Sequence, residues 1–519
     1  MITRRTFLGT ASVGAAATLA GCTSSSSGRS SSPPGTTPGS AIPATTAATT
    51  DGSTLAITTP SPAPSGIRTW AELRAKLGNR LLRLNDHGYA AARVDYNPRF
   101  DGNRPAGIAQ VIRPADVQAC VEFAAASHTP IAARSGGHSY AGYSNANGAL
   151  IVDVGHLSTV DIRKDGTAVI GAGARLGDVY TALAAVGRCV PGGSCPTVGI
   201  GGLTLGGGIG LLARKFGLTC DHLASAQVVT ADAVLRTASA TSEPDLYWAL
   251  RGGGGGNLGV VTSFTFRTVP APAVTVFSLQ FPSGSAAAVL GAWQSWVKAA
   301  PDELFANCIV HGSSPASCSV GGCYVGSPSG LNPMLDALVR QAKARPTNRY
   351  VAAKSYRDAM RYFAGCSQLT STQCRPSWGG GGGTLPRESF VATSRMVTAP
   401  MRDPGKVVAA IAGSGLDAIF DSLGGAVGRV GAGATAFPHR GASASVQLYH
   451  GGAATQPVTT VRDRLTPLLG QHGYVNYIDP SMPNWATAYY GTNLPRLRTV
   501  AKHYDPRAVF AFAQGLTRA

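Results

Sequence analysis

The stretch that most restricts what this chain can fold into is residues 192–217, GGSCPTVGIGGLTLGGGIGLLARKFG. It holds ten of the 66 glycines and no charge before Arg214 and Lys215. A mobile surface loop of that glycine content would be filled out with Ser, Pro and charged residues. Here Val198, Ile200, Leu203, Leu205, Ile209, Leu211 and Leu212 are interleaved instead, so the segment is expected to be buried. Glycines at this density let backbone N–H groups approach an anion with no Cβ in the way. A pyrophosphate is the ligand such a backbone serves. The turn is of the dinucleotide-binding kind without being a Rossmann fingerprint, and a search for G-x-G-x-x-G would mislead.

The first residues read as processing signals. Arg4 and Arg5 precede an apolar stretch at residues 11–20 that is too short to span a bilayer, the pattern of a twin-arginine export signal. LAGC at residues 19–22 is similar to a bacterial lipobox, which would make Cys22 the lipidated first residue of a mature protein on the outer face of the cytoplasmic membrane; simple secretion is the alternative. Residues 23–65 are rich in Ser, Thr, Pro, Gly and Ala and are expected to form a disordered tether. The twin-arginine route carries folded proteins, which suits a cofactor inserted before export. The formal charge of +18 is scattered, with no Lys/Arg run of the kind that binds nucleic acid.

Beyond the tether the pattern is that of a large globular chain. Residues 69–84 have helical spacing; 109–114 and 130–136 read as strands around a helix at 115–128, a strand–helix–strand unit ending in glycines. A second glycine run, residues 252–256, follows the helical DLYWALRG. Near Pro270 and Pro272 the character changes. Strands such as 274–281 and 444–450 alternate with helices at 286–300 and 332–344, which suggests an antiparallel sheet with helices on one side. Residues 484–516 read as a helix followed by a short apolar segment. The boundaries expected are 66–270, 271–450 and 451–519.

Six motifs, in order, resemble the berberine bridge enzyme-like flavin oxidases of the wider vanillyl-alcohol oxidase group. They are RSGGHSYAG (134–142), GSCPTVG (193–199), DLYWALRGGGGGNLGVVTSF (245–264), FPHR (437–440), YVNYID (474–479) and YYGTNLPRL…YDP (489–506). The resemblance implies an α+β fold, a two-lobed PCMH-type FAD-binding domain plus an antiparallel-sheet substrate domain, with the C-terminal segment returning to the first. It also implies FAD bound twice, His138 carrying the 8α-methyl and Cys195 bonded to C6. Imidazole nitrogen and thiolate are suitable nucleophiles for those positions. For Cys195 the competing role is a buried thiol or a disulfide with Cys189 or Cys220.

Other residues take their parts from the same resemblance. Arg134, Ser135, Gly136, Gly137 and Ser139, with Gly199, Gly201, Gly202, Gly206, Gly207 and Gly208, are expected along the cofactor, joined by Val260 and Asn493. Tyr477, with Tyr474 as the alternative, is the expected tyrosine over the flavin, and Gln447 the amide beside it. Some relatives carry a lysine where this chain has Ser445, so the cation that would acidify a phenol is missing, and Arg395 is one candidate replacement. Val198 occupies the position that leaves the flavin open to O2. The implied activity is oxidation of an alcohol of a sugar, oligosaccharide or secondary metabolite, with O2 reduced to H2O2. A dehydrogenase using a quinone or protein acceptor and a silent surface flavoprotein are the alternatives. Trp378 and Arg395 are candidates for the substrate pocket. Cys366 and Cys374 bracket a short loop and are expected to form a disulfide; one pair among Cys308, Cys318 and Cys323 is a further option. No spacing suggests a metal site.

Overall fold

The computed structural model describes residues 66–518; the export signal, Cys22 and the tether lie outside the described residues. The first lobe is a four-stranded sheet of β1 (Leu81–Leu82), β2 (Gly107–Gln110), β3 (Ile131–Arg134) and β4 (Leu150–Asp153) in the order β1-β2-β4-β3. β2 and β3 both run parallel to β4, the arrangement a helical crossover permits. That crossover is the helix Pro114–Ser127, which buries Val117, Cys120, Val121 and Phe123. The helical spacing at 69–84 is realised only as Trp70–Leu77, because Gly78 takes φ 59° and turns the chain into β1.

The second lobe is antiparallel: β5 (Val160–Ile162), β6 (Thr167–Gly171), β8 (Leu223–Val229), β9 (Leu235–Ser239) and β10 (Val260–Arg267), ordered β5-β6-β10-β8-β9. A separate short ladder pairs β7 (Arg188–Cys189) with β11 (Val269–Pro270), which directly follows β10 in the chain. The glycine-rich stretch is threaded against this lobe, Leu176 N–H donating to the Val198 carbonyl and Ile200 N–H to that of Ala174, both at 2.9 Å.

The third unit is a seven-stranded antiparallel sheet of β12 (Val274–Phe281), β13 (Leu304–His311), β14 (Ser317–Tyr324), β15 (Asn348–Lys354), β16 (Phe390–Val397), β17 (Asp417–Ser422) and β18 (Ala444–Gly451). Its order is β15-β12-β14-β13-β17-β18-β16. Alternation along each strand divides the faces. Leu304, Ala306, Cys308, Ala418, Phe420, Val446 and Leu448 pack under the helices Ala286–Ala299, Pro328–Ala342, Pro404–Ile411 and Gln456–Leu469. Phe305, Asn307, Ile419, Asp421 and Gln447 face a cavity shared with the first two lobes.

The C-terminal segment holds two helices, Trp485–Tyr490 and Leu494–Tyr504, where one is expected; Gly491 at φ 48° ends the first and Pro495 opens the second. Both join the core of the FAD-lobe side with Leu246, Trp248 and Leu258. The FPHR segment pins the units together. Phe437 N–H donates to Arg251 O (3.2 Å), Arg440 forms a two-pronged pair with Asp221 (2.7 and 2.8 Å), and His439 Nε2 meets Tyr489 O at 3.0 Å. Cys366 and Cys374 are disulfide-bonded, whereas Cys308, Cys318 and Cys323 are buried free thiols. No described helix is long and apolar enough to cross a membrane.

Burial, then the nearby His472, pull the His439 imidazole down to about 4. The folded protein therefore resists a proton that the unfolded chain accepts below about 6.5. Stability is complete above that value and falls as pH drops from about 6.5 to 4, the loss amounting to ~3 kcal/mol. Denaturant titrations across this range should show that slope, and His439→Gln should flatten it; an unchanged slope in the variant would refute the assignment.

Candidate active site

The cavity, about 390 Å³, lies where the glycine loops of the two lobes meet the open face of the large sheet. His138 and Cys195, 57 positions apart, come together on one wall. Thr197 bridges them, its Oγ1 lying 2.9 Å from His138 Nε2 and 3.4 Å from Cys195 Sγ. Tyr96 stacks on the His138 ring at 4.1 Å between centroids and 17° between planes, so the imidazole has one packed face. Cys195 is half-buried and in no disulfide. Cys189 and Cys220 are buried thiols, and burial pushes the first up to about 12, which separates them from the partly open Cys195.

The wall itself depends on glycine. A Cβ on Gly136 would stand 2.2 Å from Gly199 N, and one on Gly199 would stand 2.4 Å from Gly136 N. Only two glycines allow the loops to lie backbone to backbone. Ser135, Gly136, Gly137, His138, Ser139, Cys195, Val198, Gly199, Gly201, Gly202 and Val260 all border the cavity, which no Lys or Arg lines. An elongated ligand with an anionic middle would be met by backbone rather than by cationic side chains, which fits a dinucleotide cradle.

Five of the expected cofactor residues stand elsewhere. Arg134 lies beneath the loop, its guanidinium taken by Asp153 (2.7 Å), Asp95 (3.4 Å) and Ala92 O (2.6 Å). It supports the turn rather than facing the cavity. Gly206, Gly207 and Gly208 leave room for packing: added Cβ atoms would meet Asn476, Phe437 and Thr219 respectively. Asn493 donates to the carbonyls of Ala432 and Thr435 and so shapes the segment before FPHR.

On the side of the C-terminal segment, Tyr474 and Tyr477 both reach the cavity. The Tyr474 hydroxyl accepts from Gly208 N–H (2.9 Å) and from Asn476 Nδ2 (2.8 Å), and burial raises its phenol above the ordinary range. Tyr477 stacks on Tyr140 at 5.4 Å and 8°, and the Tyr140 hydroxyl accepts from Gln447 Nε2 at 2.6 Å. Tyr140 and Tyr96 are site residues that the motif reading passed over, the first within the RSGGHSYAG motif and the second well before it in sequence. So is Asp421, the one carboxylate among the lining residues.

Arg395 is not a partner for either phenol. It shares the helix-facing side of β16 with Val391 and Val397, and its Nη2 donates to Thr466 Oγ1 at 2.7 Å. Ser445, paired in register with Asp421, is fully buried with no hydrogen-bond partner for its Oγ. Trp378 stands behind the wall, 5.5 Å from Tyr96 and 6.5 Å from His138 by ring centroids. No group of three or more metal-ligating side chains occurs among the described residues.

With this geometry in place, comparison with known proteins is decisive. Residues 105–239 match the model of an FAD binding domain, and residues 473–517 match that described as berberine and berberine like. The chain is 31% identical over 461 residues to YgaK, an uncharacterized FAD-linked oxidoreductase of Bacillus subtilis, covering 85% of this chain and 98% of that one. It belongs to the berberine bridge enzyme-like family of FAD-linked oxidoreductases. The chitooligosaccharide oxidase of Gibberella zeae is 32% identical over 441 residues, 79% of this chain and 87% of that one. The solved structure of Physcomitrella patens BBE-like 1 superposes with a TM-score of 0.79 at 32% identity, covering 86% and 99% of the two chains. The protein is thus an FAD-dependent oxidoreductase with the family's α+β fold.

Two substitutions test the wall. Gly136→Ala should yield protein without the visible absorbance of bound flavin, and normal flavin content in that variant would contradict the backbone contact. Tyr474→Phe, which strands the Gly208 N–H, should cost about 1–3 kcal/mol in denaturant unfolding.

Proposed function

We propose that this protein oxidises an alcohol carbon of a sugar or oligosaccharide, using FAD attached through both His138 and Cys195, with O2 as the terminal acceptor and H2O2 as a product. The observation that carries the reading is the pairing of walls around one cavity. One wall offers two nucleophiles linked through Thr197; the sheet offers Asp421, Gln447 and Asn307. An FAD-linked chitooligosaccharide oxidase among the relatives supports a carbohydrate substrate.

FAD, when bound, supplies the hydride acceptor and the route of the electron pair to O2. The chain's own groups do the rest. The substrate hydroxyl must lose a proton as its carbon loses hydride, and no cation lines the cavity to acidify Tyr477. A carboxylate is the better acceptor at neutral pH. Asp421 therefore takes the proton, and Tyr477, held against Tyr140, orients the hydroxyl. Gln447, through Tyr140, fixes that ring pair. Phe305, Phe363 and Phe390 give apolar surface for a sugar ring, with the Asn307 and Gln447 amides for its hydroxyls. Val198, half-buried three positions after Cys195, leaves the space for O2.

Covalent attachment suits an exported protein, because a cofactor lost outside the cell is not replaced. The paired arginines and Cys22 support twin-arginine export with a lipid anchor, which the mass of the mature N-terminal peptide would test.

Anaerobic mixing with chito-, xylo- and gluco-oligosaccharides should bleach the flavin, and under air each product should be matched by one H2O2. Bleaching without peroxide would point to another electron acceptor. Asp421→Asn should lower kcat by about 10²–10⁴ with flavin content intact. A His138→Ala, Cys195→Ala double variant that still carries covalent FAD would overturn the attachment.

A further inference from the structure

A second recess, about 30 Å³, shares Ser194 with the main cavity and is bordered by Pro196, so it flanks Cys195 on both sides in sequence. Four arginines line it, Arg175, Arg357, Arg361 and Arg375, against one carboxylate, Asp178. Asp178 is committed to Arg375, whose Nε and Nη2 reach it at 3.0 and 2.7 Å. The other three have no ion pair among the described residues. Arg361 donates to the carbonyls of Cys366 (2.9 Å) and Leu369, and Arg357 to Ser371 Oγ (3.1 Å). Arg175 Nη1 is buried with no hydrogen-bond partner, and its guanidinium stands 6.0 Å over the Trp378 ring.

Arg361 caps its helix end through the Cys366 and Leu369 carbonyls, but among the described residues neither Arg175 nor Arg357 has such a partner for its charge. Arg357 and Arg361 are four apart on the helix Tyr356–Phe363, where like charges repel. Arg175 precedes the helix Leu176–Ala184, at the end where a cation is disfavoured. Burying an unpaired guanidinium nitrogen adds a further cost. The disulfide Cys366–Cys374 anchors the segment that brings Ser371 and Arg375 to the same recess. Four guanidiniums around one recess outnumber its single carboxylate, and their planar forks match the oxygens of a carboxylate, sulfate or phosphate. The volume admits one such group and no sugar ring.

We propose that this recess binds a single small oxyanion, either the charged group of an acidic saccharide that also enters the main cavity, or a free inorganic anion. The first source rests on the sugar-oxidase reading; the second does not.

Calorimetric titration of the flavin-loaded enzyme with sodium sulfate, against sodium chloride at matched ionic strength, reads the site directly. Wild type should bind sulfate, and Arg175→Gln and Arg361→Gln should each weaken it at least about tenfold. Arg357→Gln, at an exposed position, is the control least exposed to misfolding and should weaken binding in the same direction. In parallel, kcat/KM is compared for a neutral disaccharide and the same disaccharide with a uronate unit. A wild-type preference for the acidic form of about tenfold or more, lost in the variants, identifies a substrate group. Sulfate binding without that preference identifies a free anion. Sulfate binding in a protein whose flavin no sugar reduces would sink the sugar-oxidase reading and leave the recess standing. No sulfate binding and no acidic preference, with neutral sugars oxidised, would overturn the proposal.

Discussion

The contact between Gly136 and Gly199 is the constraint on which the site depends. Each glycine lies where a Cβ would overlap the other's backbone nitrogen, so at this point the two loops meet backbone to backbone. That contact sets the distance from His138 to Cys195, because each nucleophile is carried on its own glycine loop. Thr197 can then bond to both side chains at once. Arg134 supports the contact from below: with Asp95 and Asp153 it forms a buried charged cluster at the end of β3, and its carbonyl receives Val154 N–H. A buried arginine with both carboxylates in place is costly to disturb by removing any one member. Its position explains why a residue at the head of a flavin motif need not touch a flavin.

The C-terminal segment is the second support. Tyr474 holds Gly208, Asn476 fills the space that Gly206 leaves, and Phe437 does so at Gly207. The glycine triplet thus receives side chains from residues more than 200 positions later. These glycines lie off the cavity lining and make room for Asn476, Phe437 and Thr219 against the FAD-binding lobe. The Tyr474 phenol and the glycine wall are then parts of one packed unit.

Much of this was legible from the chain. The strand at 274–281 has the bounds its alternation predicts, and the motifs locate His138, Cys195, Gln447 and Tyr477 on a single cavity. What pattern reading misplaced were side-chain directions. Arg395 sits one residue from Ser394 on β16, and the period of two in a strand sends it to the helix side. Motif membership likewise conceals whether a residue faces a ligand or its neighbours, as Arg134 and Asn493 show. Asp421 was invisible for a related reason. DAIFDS contains two aspartates on one face of the strand, and only the register, Asp417 opposite His311 and Asp421 opposite Asn307, shows which of them lies over the cavity.

The distribution of charge bears on chemistry. In a chain of formal charge +18 no described Lys or Arg lines the main cavity, while three guanidiniums with no ion pair among the described residues border the recess beside Cys195. In a cavity lined by no described cation a phenol has no help in ionising, which is why the proposed reaction gives the proton to Asp421. The fully buried Ser445 beside Asp421 in register brings no charge that would compete for that carboxylate. Proton acceptance and anion binding are thus assigned to different places, the first to the open face of the sheet and the second to the outer flank of the cysteine loop. The separation follows from strand alternation on one side and from the helix Tyr356–Phe363 with its disulfide-anchored loop on the other.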